Sequence, residues 1–122
     1  MNERLSVFQV TALCAYALAM AGGQLLLKSA ALRVPIDGSI TERAVTLLQN
    51  WYFLAALAAY LALAVVWVWI LGFTPLSRAY PFVALAFAIT PLLGGLWFAE
   101  PLSARLLAGI AVIMGGLLLV AG

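Results

Sequence analysis

Residues 74–103, T-P-L-S-R-A-Y-P-F-V-A-L-A-F-A-I-T-P-L-L-G-G-L-W-F-A-E-P-L-S, restrict what this chain can become more than any other stretch. The interior, residues 81–98, is apolar and uncharged, yet it holds Pro81, Pro91 and the pair Gly94-Gly95, with Arg78 and Glu100 at its margins. A water-soluble core has no use for that combination. In a bilayer it reads as a short, proline-interrupted helix entered through a polar turn and left through an acidic one. Backbone irregularity at that depth is tolerated only against protein or a wet cavity, so such a helix lines something.

Composition supports the bilayer. Of 122 residues, 67% are hydrophobic and 8% charged, and the mean hydropathy is +1.18. Soluble domains carry roughly 25% charged residues, so this chain could not cover a globule with polar surface. The fold expected is all-α: a single integral membrane domain built as a four-helix transmembrane bundle. The net charge of +2 rests on Arg4, Lys28, Arg33, Arg43, Arg78 and Arg105, too scattered for a nucleic-acid footprint. Cys14 is the only cysteine and histidine is absent, so the sequence implies no disulfide, no zinc site and no imidazole chemistry. Glu100 is the only carboxylate near a span beyond the N-terminus and has no partner at catalytic spacing. A transporter or binding subunit is expected, with no enzyme activity and no cofactor.

Taken in order, residues 5–27 are long enough to cross at roughly 34 Å of helix. Met1 to Arg4 resembles the charged start of a secretory leader, and Ala19-Met20-Ala21 its cleavage site, but the segment is read as a retained first membrane helix. It closes on Gly22-Gly23-Gln24, which permits close helix contact, and Gln24 and Lys28 share a face four residues apart. Lys28 has two readings: an interfacial lysine reaching the headgroups, or an anion-binding cation at a cavity mouth. Gln24 favours the second, because a buried amide on the same face needs partners.

Residues 29–50 form the one polar connection of any length. Within it, Ser39 and Glu42 fit a capping box, and a short interfacial helix over about 39–49 is expected. Ile40, Ala44, Leu47 and Leu48 would lie on its membrane side, opposite Arg43, Thr46 and Asn50. The second span, residues 51–72, has aromatic residues at both ends, Tyr52 among them, and Tyr60 as its only ionisable group away from those ends, which suggests a packing role.

The third span is expected over about 77–98, with Pro81 at the first helical position and a kink at Pro91 that frees the Phe87 carbonyl. Residues 76–80 must then help complete the crossing as irregular or one-turn backbone. Ser103 suits the N-cap of the last span, residues 103–121, and Gly109, Gly115 and Gly116 form a small-residue stripe on it. Association with another subunit and internal packing both fit that stripe. The loop charges set Arg4 and Arg78 on one side against Lys28, Arg33, Arg43 and Arg105 on the other, which would place both termini outside the cytoplasm. With Lys28 inside the membrane the difference falls to one charge, and the orientation stays open.

Gly23-Gln24-Leu25-x-x-Lys28, Pro75, Ala79-Tyr80-Pro81, Glu100-Pro101-x-Ser103, and Gly109 with Ile113-Met114-Gly115-Gly116 together resemble the small, EamA-like four-helix members of the drug/metabolite transporter superfamily. The pattern looks closest to the aminoarabinose-phosphoundecaprenol flippase subunits and covers most of the chain outside residues 34–50. The resemblance implies movement of a polyprenyl-phosphate-linked aminosugar across the bacterial inner membrane for attachment to lipid A. It further implies that Lys28 and Gln24 meet the lipid phosphate, Arg78 and Tyr80 make a second headgroup contact, and Glu100 meets the sugar's ammonium. The partners implied are the lipid-linked substrate, membrane lipids, and a second copy or a related small subunit.

The small multidrug resistance family has the same plan, but its proton-coupled exporters resemble this chain less at one place. They need a glutamate two turns before the lysine, where this chain has Met20. Export of organic cations or metabolites is the alternative function, and it lacks its titrating group here. An assembly subunit that only binds a larger membrane enzyme also fits the glycine stripe.

Overall fold

A computed structural model describes residues 5–121. Arg4 and the leader-like residues before it lie outside that range. The described chain is all helical: α1 (Val7–Ala31), α2 (Ile40–Leu48), α3 (Trp51–Leu71), α4 (Leu76–Ala79), a 3₁₀ turn (Tyr80–Val83), α5 (Ala84–Phe98) and α6 (Ala104–Ala121). Four segments are long and apolar enough to cross a membrane: α1, α3, the composite Leu76–Phe98, and α6. The protein is a multi-pass membrane protein.

α1 starts at a complete capping box, in which Gln9 N donates to Ser6 Oγ (3.1 Å) and Ser6 N donates to Gln9 Oε1 (2.7 Å). With no proline or polar break behind it, the helix runs past residue 27 to Ala31. Lys28 therefore sits in its last turn and not in the loop. The box expected at Ser39 is only half made. Ser39 Oγ accepts from Glu42 N, while the Glu42 carboxylate lies against Gly38. α2 ends at Leu48, and Asn50 is not on its polar face. Asn50 is buried as the N-cap of α3, accepting from Tyr52 N (2.9 Å) and donating to the Ala30 carbonyl (3.2 Å). A donor-and-acceptor amide can satisfy two helix ends at once, which solvent exposure would waste.

Pro81 does not open the third span. That span begins at Leu76, capped by Pro75, and Pro81 is the second residue of the 3₁₀ turn. Proline has no N–H to give the carbonyl four residues back and its ring crowds that carbonyl, so the chain winds tighter for one turn before resuming as α5. α5 then continues through Pro91.

α1 packs against both α3 and α5, while α6 packs on α5 and the 3₁₀ turn. Leu13, Ile70, Ala79, Phe82 and Leu117 form one buried cluster at the end of the bundle where the chain enters α1 and leaves α6. Towards the other end, contacts pass to small residues: Ala17, Ala21, Gly23, Ala56, Ala86 and Ala88. Lipid tails are as apolar as leucine, so burying large side chains gains little there, and close approach of small ones holds the helices. The result is a tight end and a cleft-bearing end.

Candidate functional site

The cleft lies between the last turns of α1 and α5. On α1, Gln24 and Lys28 are one turn apart and line it together. On the other wall, α5 ends at Phe98 and Ala99 takes a left-handed backbone (φ 54°), the one non-glycine residue among those described to do so. That costs an alanine on the order of 1 kcal/mol. The reversal folds the Glu100 side chain back over Gly94, so tightly that a Cβ at position 94 would stand 2.9 Å from Glu100 Oε1. Glu100 Oε2 thereby comes 3.7 Å from Lys28 Nζ, with the two side chains 48% and 44% exposed. An ion pair this exposed contributes about 0–1 kcal/mol, so a ligand can part it at little cost.

This cleft has a volume of about 240 Å³ and is floored by Thr90, Pro91 and Gly94. Through Gln24, Thr90 and Pro91 it continues into an apolar hollow of about 330 Å³ bounded by Met20, Val83, Ala86 and Phe87. Pro91 offers no N–H to the Phe87 carbonyl, and both residues border the hollow. Met20 stands in its wall, and among the described residues no Asp or Glu lies within a span.

Gln24 is held from α3. Its Nε2 donates to the Tyr60 hydroxyl (2.8 Å), and Tyr60 in turn donates to the Met20 carbonyl (3.2 Å). Gly23 makes this possible, because a Cβ there would meet the Tyr60 ring at 2.9 Å; Gly22 faces open space. The second span therefore does more than pack.

The structure brings Gln24, Lys28 and Glu100 together and sets the other candidates apart. Arg78 and Tyr80 sit at the opposite end of the third span, roughly 20–25 Å from Gly94 at 1.5 Å per residue. There, Arg78 Nη1 donates to the Val120 carbonyl (2.7 Å), and the Tyr80 ring packs edge-on to Trp67. Gly109, Gly115 and Gly116 are exposed, and a Cβ on any of them would meet nothing within 4 Å. Arg105 and Gly109 border a further groove of about 470 Å³ between α5 and α6, which shares Phe87 and Pro91 with the hollow.

Sequence reasoning missed Tyr60, Thr90 and Gly94. Tyr60 carried a signal, being a phenol in the middle of an apolar span and hence in need of a partner. Gly94 carried none, since its role depends on where Glu100 folds.

No protein-family profile matches the chain, and no solved structure does. Among curated proteins, the chain is 43% identical over 98 residues to the probable 4-amino-4-deoxy-L-arabinose-phosphoundecaprenol flippase subunit ArnE of Serratia proteamaculans, covering 80% of this chain and 82% of that protein. It is 33% identical over 69 residues to the probable flippase subunit ArnF of the same substrate in Photorhabdus laumondii, covering 55% of each. At that identity and coverage, with four spans and a cleft built from the Gly23-Gln24 to Lys28 and Glu100 blocks, this chain belongs to the family of aminoarabinose-phosphoundecaprenol flippase subunits.

Proposed function

We propose that this protein is a subunit of a flippase that carries a polyprenyl phosphate bearing an aminosugar, of the undecaprenyl-phosphate-aminoarabinose type, across the bacterial inner membrane to supply lipid A modification. The observation that carries this reading is the half-exposed Lys28–Glu100 pair at the mouth of an apolar cleft. Such a headgroup brings a phosphodiester and an ammonium. Lys28 takes the phosphate and Glu100 the ammonium, so one weak ion pair is exchanged for two charge-assisted contacts in a partly desolvated site. The isoprenoid chain follows the hollow past Met20 and Phe87 into lipid. Arg78 and Tyr80, at the far end, would meet the headgroup only after it has crossed.

Four helices flank such a chain but do not enclose it. The open face at Gly109, Gly115 and Gly116 supports pairing with a second copy or a related small subunit, which would supply the missing wall. Met20 in the hollow argues against a proton-for-cation exchange cycle.

Native mass spectrometry with undecaprenyl phosphate tests the reading. Wild type should retain the lipid, and Lys28→Ala should weaken it about tenfold, the usual cost of one charged contact. Binding indifferent to Lys28, or preference for a hydrophobic quaternary cation, would reverse the assignment in favour of organic-cation export.

A further inference from the structure

Tyr60 has one proton and two neighbours. The Met20 carbonyl can only accept, so the proton at 3.2 Å goes there, and the hydroxyl oxygen must be the acceptor for Gln24 Nε2 at 2.8 Å. This fixes which way the Gln24 amide faces. With Nε2 turned to α3, Oε1 is the end left for the cleft, where Gln24 joins the Lys28 and Glu100 mouth to the apolar hollow. Without Tyr60 the amide could rotate and show either N–H or C=O to a ligand. The arrangement is built in from two helices: only glycine at position 23 lets the Tyr60 ring come close enough to α1.

We infer that Tyr60 is a positioning residue that makes the inner part of the cleft a hydrogen-bond acceptor, so that the site selects headgroups carrying N–H or O–H donors over a bare phosphate. The inference rests on the flippase reading and assigns Gln24 to the sugar's hydroxyls or ammonium, leaving the phosphate to Lys28. An acceptor-only phosphate oxygen gains nothing from Gln24 Oε1 and is repelled by it. A hydroxyl or ammonium donor finds its acceptor already aimed, with no rotamer to freeze on binding. Gln24 is exposed in the single chain, so selection rests on an acceptor that is already aimed: once a lipid covers it, a headgroup lacking the donor leaves that acceptor unpaired.

The test compares two ligands, undecaprenyl phosphate and its 4-amino-4-deoxy-arabinose derivative, bound to the full chain in detergent. Wild type should prefer the glycosylated lipid. Tyr60→Phe should lower that preference about tenfold by weakening the glycosylated lipid while undecaprenyl phosphate binds as before. In the Tyr60→Phe background, Gln24→Glu, whose side chain offers acceptors only, should restore the preference. The Gln24 side-chain amide gives a second readout by nitrogen NMR, and its resonance should shift and its proton exchange quicken in Tyr60→Phe. Equal weakening of both ligands, or an unmoved amide resonance, would reduce Tyr60 to a packing residue while the flippase reading stands. Failure of wild type to hold either lipid would overturn that reading, and this inference with it.

Discussion

The two ends of the bundle use similar residues in opposite ways. At the tight end, the Gln9 amide is consumed within the fold: Oε1 caps α1, and Nε2 ties the Phe73 carbonyl (2.7 Å) and the buried Thr74 hydroxyl (3.2 Å). Arg78 beside it holds the Val120 carbonyl over the Leu13–Ile70–Phe82 cluster. At the open end, Gln24 keeps one end of its amide for the cleft, and Lys28 is paired with a half-exposed carboxylate that a ligand can displace. A glutamine and a cation are present in both places. What separates structure from proposed site is whether their bonding capacity is spent on the fold's own backbone and hydroxyl groups or held in reserve.

The largest effect should come from reversing the charge at the open end. Lys28→Glu places a second carboxylate beside Glu100, and undecaprenyl phosphate binding should fall about 100-fold or more while the unfolding temperature changes little. Retained binding would erase the distinction between the ends. Next comes the tight end, where Gln9→Ala removes one half of the capping box and two bonds from α1 to the connection between α3 and α4. Stability in detergent should drop by about 1–2 kcal/mol with lipid binding intact, measured by thermal unfolding alongside native mass spectrometry. Loss of binding without loss of stability there would mean that the ends do not divide the labour. The sharpest contrast is between neighbouring glycines. Gly22→Ala has open space and should stabilise α1 by about 0.5–1 kcal/mol, whereas Gly23→Ala drives a methyl into the Tyr60 ring and should destabilise it by about 1–3 kcal/mol. The same sign for both would show that Tyr60 is free to move.

Much of the site is legible in the order of residues alone. The four-residue spacing of Gln24 and Lys28, the absence of an acid at Met20 and the break around Pro81 are all local properties of a helix. The partners are not legible there. Tyr60 shows in the sequence that it needs a partner but not which one, Arg78 looks like a ligand cation and Asn50 like a solvated amide, because the surroundings of each depend on what a distant segment places beside it.

The sequence by itself determined the solvent, the number of spans, the one-turn irregularity that opens the third span, and which polar groups share a helix face. Hydropathy and the 3.6-residue repeat are written along the chain, and proline acts on its own turn. Only the tertiary structure decided that Lys28 meets Glu100 and that Tyr60 aims Gln24, and that Arg78 is held by the last helix. Those pairings depend on which helix faces approach, and that is set by small residues such as Gly23 and Gly94 and by the left-handed turn at Ala99, whose consequences fall on residues far away in the chain.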